Sequence, residues 1–180
     1  MPLTYFVIQV KTRGEEKYLT LAEQALESLN IKLIWPRRRL RIRRRGHWRE
    51  TLSPIFPGYL FLEVEAIDPE LYWTLKKSPG FYRFLKSNHD IQPLPEPDAR
   101  ILASLIGFGE VVNRSLATFD EGGRIKIIEG PLTGMEGLIV RVDKRKGRVK
   151  VKLDLYDESF LVDFGFSAVE KAQGKEGEPQ

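Results

Sequence analysis

Apolar and polar positions along the first 108 residues follow two different periods, and together they predict an α+β fold. Short runs of β-branched and aromatic residues predict strands, while apolar residues spaced three and four apart predict helices with one buried face. In chain order the patterns give β-α-β-hairpin-β-α-β-α, with the strand runs LTYFVIQV, IKLIW, GYLFLEVE and FYRFLK. A mostly antiparallel sheet with helices packed against it follows from this order.

Local signals predict where the helices in this region begin and end. Thr12 and Glu15 have the spacing of a capping box, which predicts that the first helix starts there. Asn30 predicts a left-handed stop to that helix. Asp68 followed by Pro69 predicts the start of a second helix, and the stretch PLPEPDARILASLIGFG predicts a third.

The pattern changes after residue 108. Residues 109–118 show no clear period and are interpreted as a linker. Residues 119–172 predict strands only, in the runs RIKIIEG, GLIVRVD, RVKVKLDLY, SFLVDF and AVEKA. Five short strands joined by glycine-containing turns predict a small β-barrel that is constitutively β-structured. Residues 173–180 are polar and contain glycine and proline, which predicts a disordered tail.

Two basic segments interrupt these patterns. The stretch PRRRLRIRRRGHWRE, residues 36–50, holds eight arginines, and Leu40 and Ile42 alternate with them as in a strand. Because Gly46 supplies a turn, a basic β-hairpin is favoured over a disordered arm. The second segment, KRKGRVKVK at 144–152, holds six more cations at a predicted strand turn. Both segments are open to two interpretations, namely solvated surface or a contact to phosphates.

The amino-acid composition argues against several classes of protein, among them enzymes, metalloproteins and membrane proteins. The 180 residues include no cysteine and only two histidines, and the chain contains no P-loop, nucleophile elbow or metal-ligand cluster. We therefore expect no enzyme, no cofactor and no bound metal. No apolar run reaches the roughly 18–20 residues needed to cross a membrane, and no signal peptide is recognisable. The expectation is a monomeric, cytoplasmic protein, and its pI of about 9.3 favours a polyanionic partner.

Several stretches resemble one protein family. SPIFPGYLFLEV at 53–64 resembles the signature of the N-terminal (NGN) domain of the NusG transcription elongation factors, and YFVIQVKTRGEEKYLTLAEQAL resembles its opening strand and helix. The segment 122–153 resembles a KOW motif, and VDFGFSAVEKA resembles the end of a NusG chain. The resemblance spans nearly all of residues 4–172. It implies an NGN domain at 1–108, a linker at 109–118 and a KOW barrel at 119–172.

The resemblance also implies a polymerase contact. In the family, aromatic residues at the FPGY position form an apolar pocket for a coiled-coil tip of RNA polymerase, the clamp helices of the β′ subunit. Carried over, Phe56 and Tyr59 are the main candidates, and Tyr5 and Phe84 are weaker candidates for the same pocket. The alternative is that these aromatics are ordinary core residues. For Tyr59 the contact is favoured, because an amphipathic ring suits an interface.

The arginine stretch resembles specialised NusG paralogues of the LoaP antiterminator type, which recognise RNA near the start of a transcript. Arginine suits such a role, because its planar fork pairs with phosphate or guanine and stacks on bases. Reading of exposed single-stranded DNA, as in the RfaH-type paralogues, is the variant left open. The candidate nucleic-acid residues are Arg37, Arg38, Arg39, Arg41, Arg43, Arg44, Arg45, His47, Trp48, Arg49, Lys144, Arg145, Lys146 and Arg148.

One KOW loop departs from the general factor. There, an Ile-Phe-Gly-Arg type loop contacts the NusE-type ribosomal protein or the termination factor Rho. Here the corresponding residues are Leu155, Tyr156, Asp157 and Glu158, so the aromatic is kept and an acidic pair replaces Gly-Arg. An acidic partner group would be repelled. The predicted function is processive antitermination by a specialised paralogue, and the alternative is a housekeeping factor that couples polymerase to Rho or the ribosome.

Overall fold

The computed structural model describes residues 4–169 and has the predicted α+β architecture. The N-terminal elements are β1 (Tyr5–Val10), α1 (Glu15–Leu26), β2 (Leu33–Ile34), β3 (Arg37–Arg44), β4 (His47–Pro54), β5 (Tyr59–Glu63), α2 (Pro69–Lys77), β6 (Phe81–Phe84) and α3 (Glu96–Ile106). The remaining strands are β7 (Val111–Val112), β8 (Ser115–Phe119), β9 (Ile125–Glu129), β10 (Ile139–Asp143), β11 (Arg148–Leu155) and β12 (Glu158–Ala168). The order β-α-β-hairpin-β-α-β-α is confirmed.

The N-terminal sheet has the strand order β2-β5-β1-β6, and its neighbouring strands are antiparallel. Successive side chains of a strand point to opposite faces, so β1 supplies two cores. Phe6, Ile8 and Val10 pack with residues of α1 and α2, including Tyr18 and Leu75. The alternate residues of β1 belong to a second core on the other face of the sheet.

The helix boundaries agree with the sequence in two places and differ in one. Asn30 has a φ of 52°, the predicted left-handed stop. The side chain of Asp68 accepts a hydrogen bond from the Leu71 amide at 2.8 Å, which confirms the predicted cap of α2. The predicted capping box is wrong, because α1 begins at Glu15 after Gly14 and has no side-chain cap. The Glu15 side chain instead accepts a hydrogen bond from the backbone amide of Gly58.

The basic segment forms the predicted β-hairpin. Strands β3 and β4 pair from Arg37↔Pro54 to Arg44↔His47. The turn between them has positive φ at Arg45 and at Gly46, 50° and 81°, as a two-residue hairpin loop of the primed type requires. Strand β7 pairs with β3 in parallel and completes a three-stranded sheet of order β4-β3-β7.

The C-terminal half forms a five-stranded sheet of order β10-β11-β12-β8-β9. Its strands dominate, as predicted, with one 3-10 turn at Glu136–Leu138, but they are divided differently. A single strand of 11 residues, β12, replaces the predicted run SFLVDF and the beginning of AVEKA. The segment 109–118, predicted as a linker, contains β7 and the start of β8. Residues 170–172 of the predicted last strand, and the tail 173–180, lie outside the described residues.

The two halves share one continuous hydrophobic core. On the N-terminal side it contains residues from β1, from the turn at 56–59 and from α3; on the C-terminal side it contains residues of β8, β11 and β12. Its buried members include Val7, Phe61, Leu102, Val151 and Phe164. The strand β12 therefore lies against the N-terminal half, and this contact determines what is accessible at the predicted sites.

Candidate functional site

The turn at 56–59 places two aromatic rings at the start of β5. Gly58 has a φ of +83°, in the left-handed region, and a Cβ at this position would lie 3.1 Å from Thr12 Oγ1. The Gly58 amide donates a hydrogen bond to Oε1 of the buried Glu15 at 2.8 Å. Glu15, the first residue of α1, therefore holds the turn in place. Its carboxylate accepts a hydrogen bond from Gly58 and does not cap its own helix.

The C-terminal half covers both rings. Phe56 is 2% exposed and Tyr59 is 7% exposed. The Phe160 ring of β12 meets them edge to face, with centroid distances of 5.3 Å to Phe56 and 5.7 Å to Tyr59. The Tyr59 hydroxyl donates to Oε2 of Glu158 at 3.2 Å. Burial, followed by the Glu158 carboxylate, raises the pKa of Tyr59. The predicted polymerase-contact residues are thus in contact with β12.

The two weaker candidates for this pocket lie apart from each other. Tyr5 is buried in the same core as Phe56 and Tyr59. Phe84 pairs with Ile8 across β1 and β6, so its side chain points to the opposite face of the sheet. There it stacks on Tyr72 with a centroid distance of 5.2 Å. The structure does not bring Phe84 into the predicted pocket, because the register of β6 assigns it to the other core.

The loop between β11 and β12 also contacts the N-terminal half. Tyr156 and Asp157 have positive φ values of 46° and 71°. The Tyr156 amide donates to Oδ2 of Asp98 at 3.1 Å, and its hydroxyl donates to the Gln92 carbonyl at 2.6 Å. Burial raises the pKa of Tyr156. Burial also raises the pKa of Asp98, the hydrogen bond from the Tyr156 amide opposes this shift, and the carboxylates of Asp154 and Asp157 add to it. The other candidate of this loop, Leu155, is a core residue.

The hairpin makes a second contact with the C-terminal half. Arg148 of β11 donates from Nη2 to the Arg41 carbonyl at 2.6 Å. Arg38 donates from Nη1 to the Pro54 carbonyl at 2.5 Å. Burial lowers the pKa of Arg38, and the Asp163 carboxylate of β12 opposes that shift. Arg148 therefore bonds across the contact between the halves, whereas the hydrogen bond of Arg38 stays within the hairpin.

Among the remaining cations of the hairpin, some contact neighbouring side chains and others are exposed to solvent. Arg37 lies over the Trp35 ring at 4.5 Å, and Arg39 pairs with Glu50 at 3.2 Å. Arg39 also donates to Asn113 at 3.1 Å. The hairpin end is exposed, namely at Arg43, Arg44, Arg45, His47, Trp48 and Arg49. The ring nitrogen Nδ1 of His47 lies 3.0 Å from the Arg45 carbonyl across the turn.

The structure brings the two basic segments together in one cleft of about 280 Å³. Arg41 and Trp48 contribute from the hairpin, and Lys144, Arg145 and Lys146 contribute from the turn between β10 and β11. The cleft also includes Arg114, which sequence reasoning missed because it stands alone in a segment without a period. Gly147 and Phe166 complete the lining. We call this the interdomain cleft.

A family model described as "Transcription termination factor nusG" matches residues 3–103, more than half of the chain. The chain belongs to the NusG family. Its similarity to curated NusG proteins extends over both halves. "Transcription termination/antitermination protein NusG" of Borreliella burgdorferi is 26% identical, over 95% of this chain and 100% of that protein. The protein of the same name from Thermus thermophilus is 24% identical, over 96% and 100%.

A solved structure supports the fold of this NusG-family chain. The structure described as "Domain interaction in Thermotoga maritima NusG" superimposes with a TM-score of 0.59. The two are 23% identical, over 91% of this chain and 93% of that one. The resemblance to the NusG family and the α+β fold class are therefore confirmed. The relatives' names describe transcription factors and not enzymes.

Within residues 4–169, none of the helices is long and apolar enough to cross a membrane. Among the same residues, His, Cys, Asp and Glu side chains do not form a group of three or more that could hold a metal ion.

Proposed function

We propose that this chain is a specialised NusG-family paralogue that binds elongating RNA polymerase, is recruited by nascent RNA and promotes processive antitermination. The observation that carries the proposal is the exposed basic end of the hairpin, at Arg43, Arg44, Arg45 and Arg49. The side chains of Arg43, Arg44 and Arg49 take part in none of the hydrogen bonds or ion pairs described within residues 4–169. Such arginines keep their donors available for phosphates and bases.

The position of the hairpin supports recruitment at the polymerase. The hairpin ends at Pro54 of β4, two residues before Phe56. A nucleic acid held by the hairpin would therefore lie close to a polymerase bound at the turn 56–59. A paralogue that acts only on certain transcripts needs an element that recognises their nucleic acid, and the hairpin is proposed to be that element.

Polymerase binding at this surface requires the C-terminal half to move away. Phe56 and Tyr59 are covered by Phe160, so a coiled-coil tip can reach them only after the contacts of Phe160 and Glu158 are broken. A partner that binds only the separated arrangement shifts the population toward it. The docked arrangement therefore acts as the resting form, and polymerase binding supplies the free energy that opens it.

The test measures RNA binding with the end of the hairpin altered. In Arg43→Gln/Arg44→Gln/Arg49→Gln, we expect weaker binding of leader RNA and a shallower salt dependence, by roughly 0.7 in the slope for each lost phosphate contact. The matched control is Lys17→Gln/Lys76→Gln/Lys77→Gln, which removes the same charge from exposed positions on α1 and α2. RNA affinity that is equal in the two variants would contradict recruitment through the hairpin.

A single-stranded DNA target is the second candidate, because the same exposed surface of the hairpin end suits it. Trp48 is 47% exposed at the hairpin end, and an exposed indole stacks on bases of either nucleic acid. The same assay decides between them when it compares leader RNA with single-stranded DNA of matching sequence. Tighter DNA binding would favour an RfaH-type reader.

A further inference from the structure

The interdomain cleft is built from three separate parts of the chain. Arg41 and Trp48 belong to the hairpin, Arg114 lies between β7 and β8, and Lys144 and Lys146 belong to the turn between β10 and β11. The cleft exists only while the two halves are docked, because neither half supplies all of its walls. The site shares Trp48 with the exposed end of the hairpin, but its cations are residues other than Arg43, Arg44 and Arg49.

The basic turn is held in a fixed position. The Lys146 amide donates to Oδ1 of Asp143 at 2.9 Å. Gly147 has a φ of +63°, and a Cβ there would lie 2.9 Å from the Phe166 carbonyl oxygen, so the turn approaches β12 closely. Lys144 lies 4.1 Å from the centre of the Phe119 ring. These contacts orient the turn toward the hairpin before any ligand binds.

The charge of the cleft is one-sided. Its lining contains five cationic side chains and, among the described residues, no carboxylate. Burial, followed by the neighbouring Arg41, lowers the pKa of the Arg114 guanidinium, and Glu50 opposes this shift. Glu50 is itself paired with Arg39 at 3.2 Å. Clustered cations in a concave site attract a polyanion, and Trp48 offers a face for a base beside them.

We propose that the interdomain cleft binds a single strand of nucleic acid across both halves. The cations at Arg41, Arg114, Lys144 and Lys146 hold successive phosphates, and Trp48 stacks on an unpaired base. A single strand fits this arrangement because its bases are free to stack, whereas those of a duplex are covered by their neighbours. The proposal rests on the proposed nucleic-acid-directed function and deepens it.

A consequence follows for the order of binding. A strand that contacts both halves binds the docked arrangement more tightly than the separated one, so it stabilises docking. Docking covers Phe56 and Tyr59 with Phe160. A strand in the cleft and a partner at the turn 56–59 therefore weaken each other's binding by the same factor. The cleft holds the strand in the resting form and releases it when polymerase opens the chain.

The first experiment tests the residues of the cleft. Binding of a labelled 12-nucleotide single-stranded RNA to the full chain is measured by fluorescence anisotropy at several salt concentrations. Arg114→Gln/Lys144→Gln/Lys146→Gln is expected to reduce the salt slope by about 2, from roughly 0.7 per lost phosphate contact. Trp48→Ala is expected to weaken binding at least about fivefold. The control Lys76→Gln/Lys77→Gln should leave both quantities near their starting values. A cleft variant indistinguishable from this control would overturn the proposal.

The second experiment tests the need for docking. Phe160→Ala removes a ring that joins the halves away from the cleft, and Leu161→Ala is its control, since Leu161 is 61% exposed on the same strand. We expect the β′ clamp-helix fragment to displace RNA from Phe160→Ala at lower concentrations than from Leu161→Ala, because separation of the halves costs less in Phe160→Ala and the strand binds the docked form. RNA affinity that stays unchanged at fragment concentrations that saturate the chain would overturn the proposal, even if the hairpin-end variant shows that the hairpin recruits RNA.

The outcomes separate this proposal from the proposed function. Loss of binding in the cleft variant with a silent hairpin-end variant supports the cleft and contradicts recruitment through the exposed arginines. Repetition with single-stranded DNA of the same sequence identifies the source of the strand. Tighter RNA binding points to a transcript, and tighter DNA binding points to a strand exposed at the polymerase. Tighter binding of a matched duplex than of either single strand would overturn the single-strand assignment.

Discussion

The Phe160 contact gives the clearest quantitative prediction about how the docked arrangement limits partner binding. Phe160→Ala removes two edge-to-face ring pairs, at 5.3 Å and 5.7 Å from Phe56 and Tyr59. Each such pair contributes about 0.5–1.5 kcal/mol beyond the area it buries. Because the Phe160 side chain is only partly buried, its lost apolar burial is worth about 1 kcal/mol or less. We take about 2 kcal/mol as the cost to docking.

This cost converts directly into an expected affinity. While the docked form predominates, the fraction of separated molecules rises about 30-fold for about 2 kcal/mol, and the apparent Kd of a partner that needs the separated form falls by the same factor. The assay is calorimetric titration of the full chain with a fragment of the β′ clamp helices. Leu161→Ala serves as the control because it changes the same strand on its exposed side.

The result that would refute this reasoning is equally specific. If Phe160→Ala and the unaltered chain bind the fragment with equal affinity, either docking does not limit access to Phe56 and Tyr59 or these residues are not the contact. A parallel thermal denaturation identifies a variant that has lost the fold of the C-terminal half. An affinity reduced below that of the unaltered chain would mean that Phe160 itself contacts the partner.

Three further changes test individual bonds. Tyr59→Phe keeps the ring and removes the hydrogen bond to Glu158, so docking should weaken by about 0.5–1.5 kcal/mol and clamp-helix affinity should rise by up to about tenfold in the same titration. Glu15→Ala leaves the Gly58 amide without its acceptor and should lower the free energy of unfolding by about 1.5–3 kcal/mol in urea denaturation, whereas an unchanged midpoint would show that the turn is held by other contacts. The raised pKa of Asp98 means that the docked form binds protons more tightly, so its contribution to docking is full below the ordinary value of 3.8 and is lost as pH rises through the raised pKa. Energy transfer between dyes on two introduced cysteines should therefore report tighter docking in acid, and Asp98→Asn should reduce that pH dependence; an unaltered pH profile in this variant would exclude Asp98 as its source.

The local elements could be predicted from the sequence because each follows from neighbouring residues. Alternation of Leu40 and Ile42 with arginine, followed by Gly46, is sufficient to specify a hairpin. Asp68 before Pro69 specifies a helix start in the same way. The capping box failed for a long-range reason, since the carboxylate of Glu15 is bound by a residue 43 positions away.

The arrangement of the site depended on contacts that no local pattern encodes. Phe160 lies in a strand whose alternation predicts a buried face but does not say which surface covers it. Phe84 is assigned to the other core by its register with Ile8, and a shift of one residue would have reversed that assignment. Arg114 became recognisable only when docking brought it to the two basic segments.

The most direct test of the account is a titration of the isotopically labelled full chain with the β′ clamp-helix fragment, followed by NMR. We expect the amide signals of Phe56 and Tyr59 to change together with those of Glu158 and Phe160, because binding at the turn releases β12 from it. The signals of Tyr156 should also shift, because its bonds to Asp98 and Gln92 break when the halves separate. Signals at 56–59 that stay unchanged at saturating fragment would contradict the central claim that this turn binds the polymerase.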